Sequence, residues 1–232
     1  CLGCWVYCKV KPTDGSWSSA TKVTQRDSWQ PAVAARSPWP YDYFHVVYCT
    51  RLFGVNYRRL DKTTGNPVSE EMVVSDNGTL GAYTYPSIVS FGKHLSVVWS
   101  DYGPGGSDWE IYYDSNTVDG ASWGTDKILA SASGDSYYPD VSVDTPGVYV
   151  VWQDNRHGNY EIYCAVYDRA APDPPTGVTA TPSGWTNKDS FSVNWTNPSD
   201  ISGIAGAYYK LDNTPNSETD GDWTTVKPIN IS

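Results

Sequence analysis

The sequence has few positive charges. Its 232 residues include 16 Lys and Arg against 26 Asp and Glu, which gives a formal net charge of −10 at pH 7 and a pI near 4.6. The basic residues form no stripe or cluster along the chain. Because contacts to phosphate supply most of the affinity for nucleic acids, we expect no nucleic-acid partner. Binding to an anionic membrane surface is disfavoured for the same reason.

Long apolar segments are also missing. No run approaches the roughly 18 apolar residues that a membrane span needs, so we expect no membrane span. The chain does not start with the charged and then apolar leader of a signal peptide. It opens directly on Cys1, inside a segment that favours a strand. We therefore interpret the sequence as a processed or truncated piece.

Motifs for metal or nucleophilic chemistry are scarce. The three histidines, His45, His94 and His157, are scattered and form neither an H-x-x-H nor an H-E-x-x-H pattern. No dense D-x-D-x-D calcium loop and no G-x-S-x-G motif occurs. We therefore predict no metal, no cofactor and no catalytic residues.

The five cysteines are odd in number, so at least one is free or pairs outside this chain. Trp5 stands where c-type haem attachment requires a histidine, which excludes that use. Zinc binding and acylation of Cys1 remain alternatives. Disulfides formed in an oxidising compartment are the use that we predict. The cysteines are Cys1, Cys4, Cys8, Cys49 and Cys164.

Phenylalanine and methionine are rare, with four and one copies, whereas there are 11 Trp and 18 Tyr. Such amphipathic aromatic residues suit strands that pack on one side and meet water at their ends, so the composition predicts an all-β protein. We interpret most of these rings as core, and only a minority as platforms on which sugars could stack.

A repeat with a period of 53 to 55 residues runs through the first two thirds of the chain and is marked by Pro31, Pro86 and Pro139. An almost continuously apolar second strand follows each proline, which indicates burial on both faces. The third strand carries a tyrosine that we place in equivalent positions. A Gly-containing turn and a fourth strand complete the unit. The four tyrosines are Tyr7, Tyr57, Tyr112 and Tyr163.

The turn before the fourth strand resembles the Asp box of sialidase-type (BNR) β-propellers. In the segment 117–123 this resemblance assigns structural roles to Asp119, Gly120 and Trp123, with the aspartate capping the turn and the tryptophan packing beneath it. The first copy, ending at Trp17, is one residue shorter, and the second keeps little beyond Gly65. The segment 152–163 is similar to propeller repeats of bacterial and archaeal surface proteins. The resemblance covers residues 4–168.

The repeat predicts an all-β fold with a partial or open β-propeller of about three four-stranded blades. The four copies supply two, four, four and three strands in turn. Because propellers usually close with about four to eight blades, we expect either a longer propeller or closure by another copy of the chain.

A second region follows the blades. We place the blades at residues 1–169, a proline-rich linker at 170–176 and a second segment at 177–232. The second segment resembles bacterial Ig-like or fibronectin type III-like modules, and it is shorter than the roughly 100 residues of a full domain. We therefore expect a truncated Ig-like β-sandwich.

These features favour a non-enzymatic extracellular or cell-surface protein whose propeller face meets protein or carbohydrate partners. A fragment of a sialidase-like glycoside hydrolase is one alternative, although no arginine cluster recurs at matching blade positions. A surface-layer or filament subunit that closes its ring by self-association is another. The candidate binding residues lie at equivalent loop positions: Asp101, Trp109, Asp154, Arg156 and Glu161.

Overall fold

The computed structural model describes most of the chain: residues 3–35, 43–51, 54–76, 84–92, 94–102, 108–116, 122–144, 147–168, 172–184, 187, 190–200, 203–210, 216–217 and 219–231. All regular elements in these ranges are strands. The described residues contain no helix that is long and apolar enough to cross a membrane. Contacts divide the chain into a first unit, Cys1–Tyr167, and a second unit, Asp168–Ser232. The predicted boundary lies at residues 169–170, close to this division.

The repeat region forms four antiparallel sheets, which we call blades 1 to 4. Blade 1 pairs β1 with β2, blades 2 and 3 each have four strands in sequence order, and blade 4 has three. Their strands are β1 Tyr7–Cys8, β2 Thr21–Lys22, β3 Ser28–Ala35, β4 Tyr43–Thr50, β5 Gly54–Asp61, β6 Met72–Val73, β7 Ser87–Phe91, β8 His94–Tyr102, β9 Trp109–Asn116, β10 Lys127–Ala130, β11 Ser136–Val143, β12 Gly147–Asp154 and β13 Glu161–Asp168. The predicted partial propeller, with thirteen strands in this part of the described chain, is confirmed.

Each pair of neighbouring blades encloses a core of apolar side chains. The second strands of blades 2 and 3 are buried on both faces because a blade lies on either side of each. Inner strands also bond directly across blades: Ser87 Oγ donates to Asp140 Oδ1 at 2.7 Å, and Ser90 Oγ donates to the carbonyl of Ala35 at 2.8 Å. The cores between blades 1 and 2, 2 and 3, and 3 and 4 are built around Tyr48, Trp99 and Trp152 respectively.

The equivalence predicted for Tyr57 is wrong by one residue. In blade 3, Trp99 of the second strand pairs with Tyr112 of the third. In blade 2, the corresponding Tyr48 pairs with Asn56, and Tyr57 is the next residue along. Because side chains alternate across a strand, this slip turns Tyr57 to the opposite face of its blade. Tyr57 and Tyr112 therefore enter the same core from opposite sides.

The repeated proline marks an irregularity in the inner strands. The register of β3 against β4 shifts between Trp29 and Ala32, and that of β11 against β12 shifts between Tyr137 and Asp140. The residue before each proline has a positive φ: 50° at Gln30, 38° at Tyr85 and 53° at Tyr138. Bulky residues rarely adopt this left-handed conformation. Because this conformation recurs at three equivalent positions, it is a regular feature of the repeat.

Of the predicted Asp box, Asp119 and Gly120 lie outside the described residues. Trp123 packs against the core between blades 2 and 3, with its ring edge-on to Tyr57 at a centroid distance of 5.2 Å. In the first copy, Trp17 is exposed instead. The sialidase assignment thus stays a prediction for this turn.

Three described cysteines, Cys8, Cys49 and Cys164, carry free thiols, so the predicted disulfides do not include them. The Cys49 thiol is buried beside the hydroxyl of Thr84, and burial raises its pKa to about 12. Among the residues that the structure describes, no group of three or more His, Cys, Asp or Glu side chains is placed to hold a metal ion. Cys1 lies outside those residues.

Both ends of the blade series expose apolar surface. On blade 4, Val151, Ile162 and Val166 are exposed. Beside β1, Val33 borders a cavity of about 330 Å³ together with Val6 and other apolar residues of blades 1 and 2. How these faces are covered stays a prediction, either by further blades or by another copy.

The second unit consists of two small antiparallel sheets. One has the strand order β14-β15-β18 and the other pairs β16 with β17. The strands are β14 Thr176–Thr181, β15 Phe191–Thr196, β16 Ala207–Tyr209, β17 Asp222–Thr224 and β18 Ile229–Ile231. The predicted all-β character is confirmed here, whereas the relationship to Ig-like modules is not tested by the sheets alone.

Candidate ligand-binding edge

One edge of blades 3 and 4 collects the ends of several strands. The inner strands begin there, the second strands end there and the third strands start there, because consecutive strands are antiparallel. This geometry brings together Tyr85, Tyr102, Trp109, Tyr137 and Tyr138, which are far apart in the sequence. We call these five residues the aromatic row.

The rings of the aromatic row form a continuous series of contacts. Ring centroids are 4.4 Å apart for Tyr102 and Trp109, and 5.5 Å apart for Trp109 and Tyr137. The series continues from Tyr137 to Tyr138 at 5.9 Å and from Tyr138 to Tyr85 at 4.5 Å. All four pairs are tilted, in the range of separations that favours aromatic pairing. The row thus crosses from blade 3 to blade 4.

The two residues with the most exposed rings lie apart within this row. Tyr138 is 53% exposed and Tyr102 is 37% exposed, whereas Trp109 between them is buried. Tyr160, also exposed, lies close enough to interact electrostatically with Tyr137. The row therefore offers two accessible aromatic platforms on a packed aromatic base.

Backbone strain helps to set the direction of two of these rings. Tyr85 and Tyr138 are the positive-φ residues that precede Pro86 and Pro139. A proline restricts the preceding residue to extended conformations, and a left-handed residue costs about 1–2 kcal/mol, so both are strained. In blade 2 the equivalent Gln30 uses its side-chain oxygen to accept the backbone N–H of Tyr85 at 3.1 Å. The blade 2 side chain thus supports the first ring of the row.

The carboxylate of Asp135 bonds to two central members of the row, Trp109 and Tyr137. Its Oδ1 accepts the backbone N–H of Trp109 at 3.1 Å, and its carboxylate also accepts the hydroxyl of Tyr137. Burial, followed by the charge of Asp135, raises the pKa of Tyr137 to about 12. The backbone N–H of Asp135 donates to Asn155 Oδ1 at 2.7 Å. The phenol of Tyr137 therefore stays protonated and held in place.

The buried Asp154 and the partly exposed Arg156 form an ion pair next to this support. Asp154 Oδ2 accepts Arg156 Nη2 at 2.6 Å, Ser136 Oγ at 2.9 Å and Trp152 Nε1 at 3.1 Å. Its Oδ1 accepts the backbone N–H and Nε of Arg156, both at 2.9 Å. These bonds, with those from Arg156 largest, hold the pKa of Asp154 well below its usual range. The two predicted residues are thus bonded to each other, and their role in binding stays a prediction.

Arg156 also lies over the ring of Tyr163, with 4.1 Å between its guanidinium carbon and the ring centroid. The hydroxyl of Tyr163 and His157 Nδ1 both bond to Glu161 Oε2, each at 3.2 Å. The bonds to His157 and Tyr163 lower the pKa of Glu161. This surface group is exposed, so Glu161 is the predicted acidic residue most accessible to a ligand.

Two further acidic residues, Asp101 of β8 and Glu110 of β9, lie opposite each other in blade 3. Asp101 is buried and its Oδ1 accepts the backbone N–H of Tyr102 at 2.8 Å, which fixes the start of that loop. Glu110 is buried too, and its Oε2 has no hydrogen-bond partner among the described residues. Desolvation raises the pKa of Glu110 to about 7, with a smaller contribution from nearby Asp108. This carboxyl group therefore titrates near neutral pH.

Sequence reasoning found one member of the row and missed four. All five candidate residues lie along this edge, but only Trp109 belongs to the aromatic row. Tyr85 and Tyr138 were visible as the residues before the repeated prolines, and their identity was the available signal. Tyr102 and Tyr137 carried no signal, because their meeting with Trp109 depends on how two blades pack. Chemically, the edge can stack flat apolar rings and bond hydroxyl groups.

No protein-family model and no curated protein matches the chain. Among solved structures, it is similar to an exo-1,5-α-L-arabinanase from a bovine ruminal metagenomic library, at 13% identity over 68% of this chain and 60% of that one, with a TM-score of 0.45. It is similar to the GH43 endo-arabinanase of Bacillus licheniformis, at 16% identity over 65% and 59%, with a TM-score of 0.41.

A third similar structure is a triple arginine-to-alanine mutant of AofleA from Arthrobotrys oligospora, at 19% identity over 84% of this chain and 62% of that one, with a TM-score of 0.40. The chain spans only about three fifths of the length of each of these three proteins. Likenesses this distant carry no functional argument, and the propeller assignment depends on the sheets themselves.

Proposed function

We propose that the first unit is a carbohydrate-binding propeller of an extracellular or cell-surface protein, with the aromatic row as its sugar-binding site. The observation that carries this proposal is the unbroken row from Tyr85 to Tyr102, with exposed rings at Tyr138 and Tyr102. Pyranose and furanose rings present flat C–H faces that pack on aromatic rings. Sites of this kind combine apolar walls with a few placed polar groups.

Charge narrows the class of sugar. The polar groups around the row are acidic or neutral, namely Asp135, Tyr137 and Tyr160. In the described part of the chain, the nearby guanidinium of Arg156 is paired with Asp154. An anionic sugar would meet repulsion there. A neutral glycan is therefore the expected ligand, and the sialidase resemblance of the repeat supports the propeller fold more than it supports sialic acid as a ligand.

A binding assay on a neutral glycan array, followed by calorimetry on the best ligand, tests the proposal. Aromatic contacts add about 0.5–1.5 kcal/mol each beyond area burial, so removing both exposed rings in a Tyr102→Ala, Tyr138→Ala variant should weaken binding at least fivefold. Phe91→Ala is the matched control, since Phe91 is an exposed ring at the opposite end of blade 3. Its binding should stay within twofold of the parent protein.

Two outcomes would overturn the proposal. One is an array without any bound glycan, and the other is unchanged affinity in the double variant. Circular dichroism of each variant separates loss of binding from loss of fold. Surface labelling of intact cells tests the extracellular location, and labelling that requires cell lysis would contradict it.

A glycoside hydrolase is the second candidate function, and Glu110 is the observation that favours it. A carboxyl group with a pKa of about 7 suits proton donation near neutral pH. Turnover of fluorogenic glycosides by the parent protein, abolished in Glu110→Gln, would replace the binding function with this one. Glycan binding without turnover of any glycoside supports the non-enzymatic function.

A further inference from the structure

The second unit contains a separate cleft with aromatic walls. Its volume is about 530 Å³, within the range of about 300–1,000 Å³ typical of small-molecule sites. Trp195, Tyr208 and Trp223 line it on the sheet side, and Pro172, Pro174 and Pro175 form another wall. No part of the proposed propeller site contributes to this cleft.

Two of these rings are paired across a sheet. Tyr208 of β16 lies opposite Trp223 of β17, and their ring centroids are 4.9 Å apart. Trp223 is nevertheless 50% exposed and Tyr208 is 43% exposed. Large aromatic side chains that remain this accessible while lining a cavity indicate a binding surface.

Gly206 allows Trp223 to lie close against the backbone. A Cβ atom at this position would lie 2.8 Å from Cη2 of the Trp223 ring and 2.5 Å from the carbonyl oxygen of Thr224. Any side chain at position 206 would therefore displace the indole. The glycine leaves room for the ring to pack against the backbone before a ligand arrives, and such a preformed contact reduces the entropy cost of binding.

The third ring is fixed by a hydrogen bond. Trp195 Nε1 donates to Asn197 Oδ1 at 2.8 Å, so the indole and the amide form one polar and aromatic corner of the cleft. Thr219 adds a hydroxyl group to the lining. Among the described residues of the lining, Asp173 is the one charged side chain. Lys227 Nζ lies 5.9 Å from the centroid of the Trp195 ring, so charges of opposite sign flank the cleft, and the hydroxyl groups of a neutral ligand would find both donors and acceptors.

We propose that this cleft is a second saccharide-binding site, specific for a neutral oligosaccharide that stacks on Trp223 and Tyr208. Two sites in one chain would raise the avidity for polymeric glycans without any new contact. The inference depends only on residues of the second unit, so a test of the aromatic row neither supports nor contradicts it.

Titration of the full chain with neutral cello-, xylo-, manno- and arabino-oligosaccharides, followed by tryptophan fluorescence and calorimetry, tests the site. One of these should bind, and Trp223→Ala should weaken that binding at least tenfold. Gly206→Ala should weaken it as well, because the new Cβ displaces the indole. Trp223→Phe keeps a flat ring and should retain part of the affinity even if Trp223→Ala fails to fold.

Trp17→Ala is the control, since Trp17 is an exposed tryptophan of the first unit. It should leave this binding unchanged, and so should the Tyr102→Ala, Tyr138→Ala variant. Binding that is lost in the tyrosine variant and kept in Trp223→Ala would support the propeller site and overturn this one. Absence of any Trp223-dependent saccharide binding, or preferential binding of a proline-rich peptide, would also overturn it.

Discussion

Replacing Tyr138 with alanine and, separately, with glycine separates the strain of its backbone from the contribution of its ring. Both variants lose the ring contacts to Tyr85 and Tyr137. Alanine keeps a Cβ at a φ of 53°, which costs about 1–2 kcal/mol, whereas glycine accepts this conformation freely. The larger unfolded-state entropy of glycine offsets about 0.5–1 kcal/mol of that difference. We expect Tyr138→Gly to be more stable than Tyr138→Ala by about 0.5–1 kcal/mol.

Urea unfolding of the two variants measures this difference directly. The midpoints should differ while the slopes agree, because the surface exposed on unfolding is the same. In thermal unfolding, 1 kcal/mol corresponds to a shift of about 2–4 °C for a domain of this size. Ser142, an exposed residue of the same strand, is not among the positive-φ residues and provides the reference pair.

At position 142 the order should reverse, with alanine more stable than glycine by about 0.5–1 kcal/mol. If Tyr138→Ala is as stable as Tyr138→Gly, or more so, the strain assigned to the residue before the repeated proline is refuted. Equal behaviour at positions 138 and 142 would refute it too.

Three further variants test the supports of the aromatic row. The pKa of Glu110 is raised to about 7, so the folded protein retains a proton that the unfolded chain releases from about pH 4.5. The free energy of unfolding should therefore fall as the pH rises through 7. Urea titrations should show that Glu110→Gln abolishes this loss and gains about 1–3 kcal/mol of stability at pH 8. Arg156→Lys should cost about 1–2 kcal/mol by losing the paired bonds to Asp154. Arg26→Lys should cost little, because Arg26 is half exposed and lies 3.5 Å from Glu71, and equal costs would contradict this account. Gly134→Ala should cost at least about 1 kcal/mol, because φ is 107° and the new Cβ would lie 2.5 Å from Asn155 Oδ1; an unchanged melting temperature would refute the tight fit.

The sequence anticipated the blades well, for a local reason. Turn residues, the repeated proline and continuous apolar runs are properties of neighbouring residues, and each marks one strand or one turn. The count of two, four, four and three strands followed from them. The exception at Tyr57 is instructive, since a tyrosine in a similar strand lay one residue out of register. Local similarity cannot detect such a slip, which reverses the face of every side chain.

For the candidate site too, the sequence predicted features local to one strand and missed contacts between distant segments. Asp101 and Asp154 were found because they end equivalent strands, whereas the pairing of Asp154 with Arg156 depends on which donors surround its carboxylate. The pKa of Glu110 likewise depends on burial between chain segments that are distant in sequence.

By itself, the sequence determined the all-β class, the repeat and the acidic character that disfavours anionic partners, because these follow from composition and from patterns within one strand or turn. Only the tertiary structure decided that Tyr85, Tyr102, Trp109, Tyr137 and Tyr138 form one row and that Trp223 lies against Gly206. Contacts between blades, and between strands far apart in the chain, depend on register, twist and backbone conformation. These quantities are settled when the whole core packs, and no short segment encodes them alone.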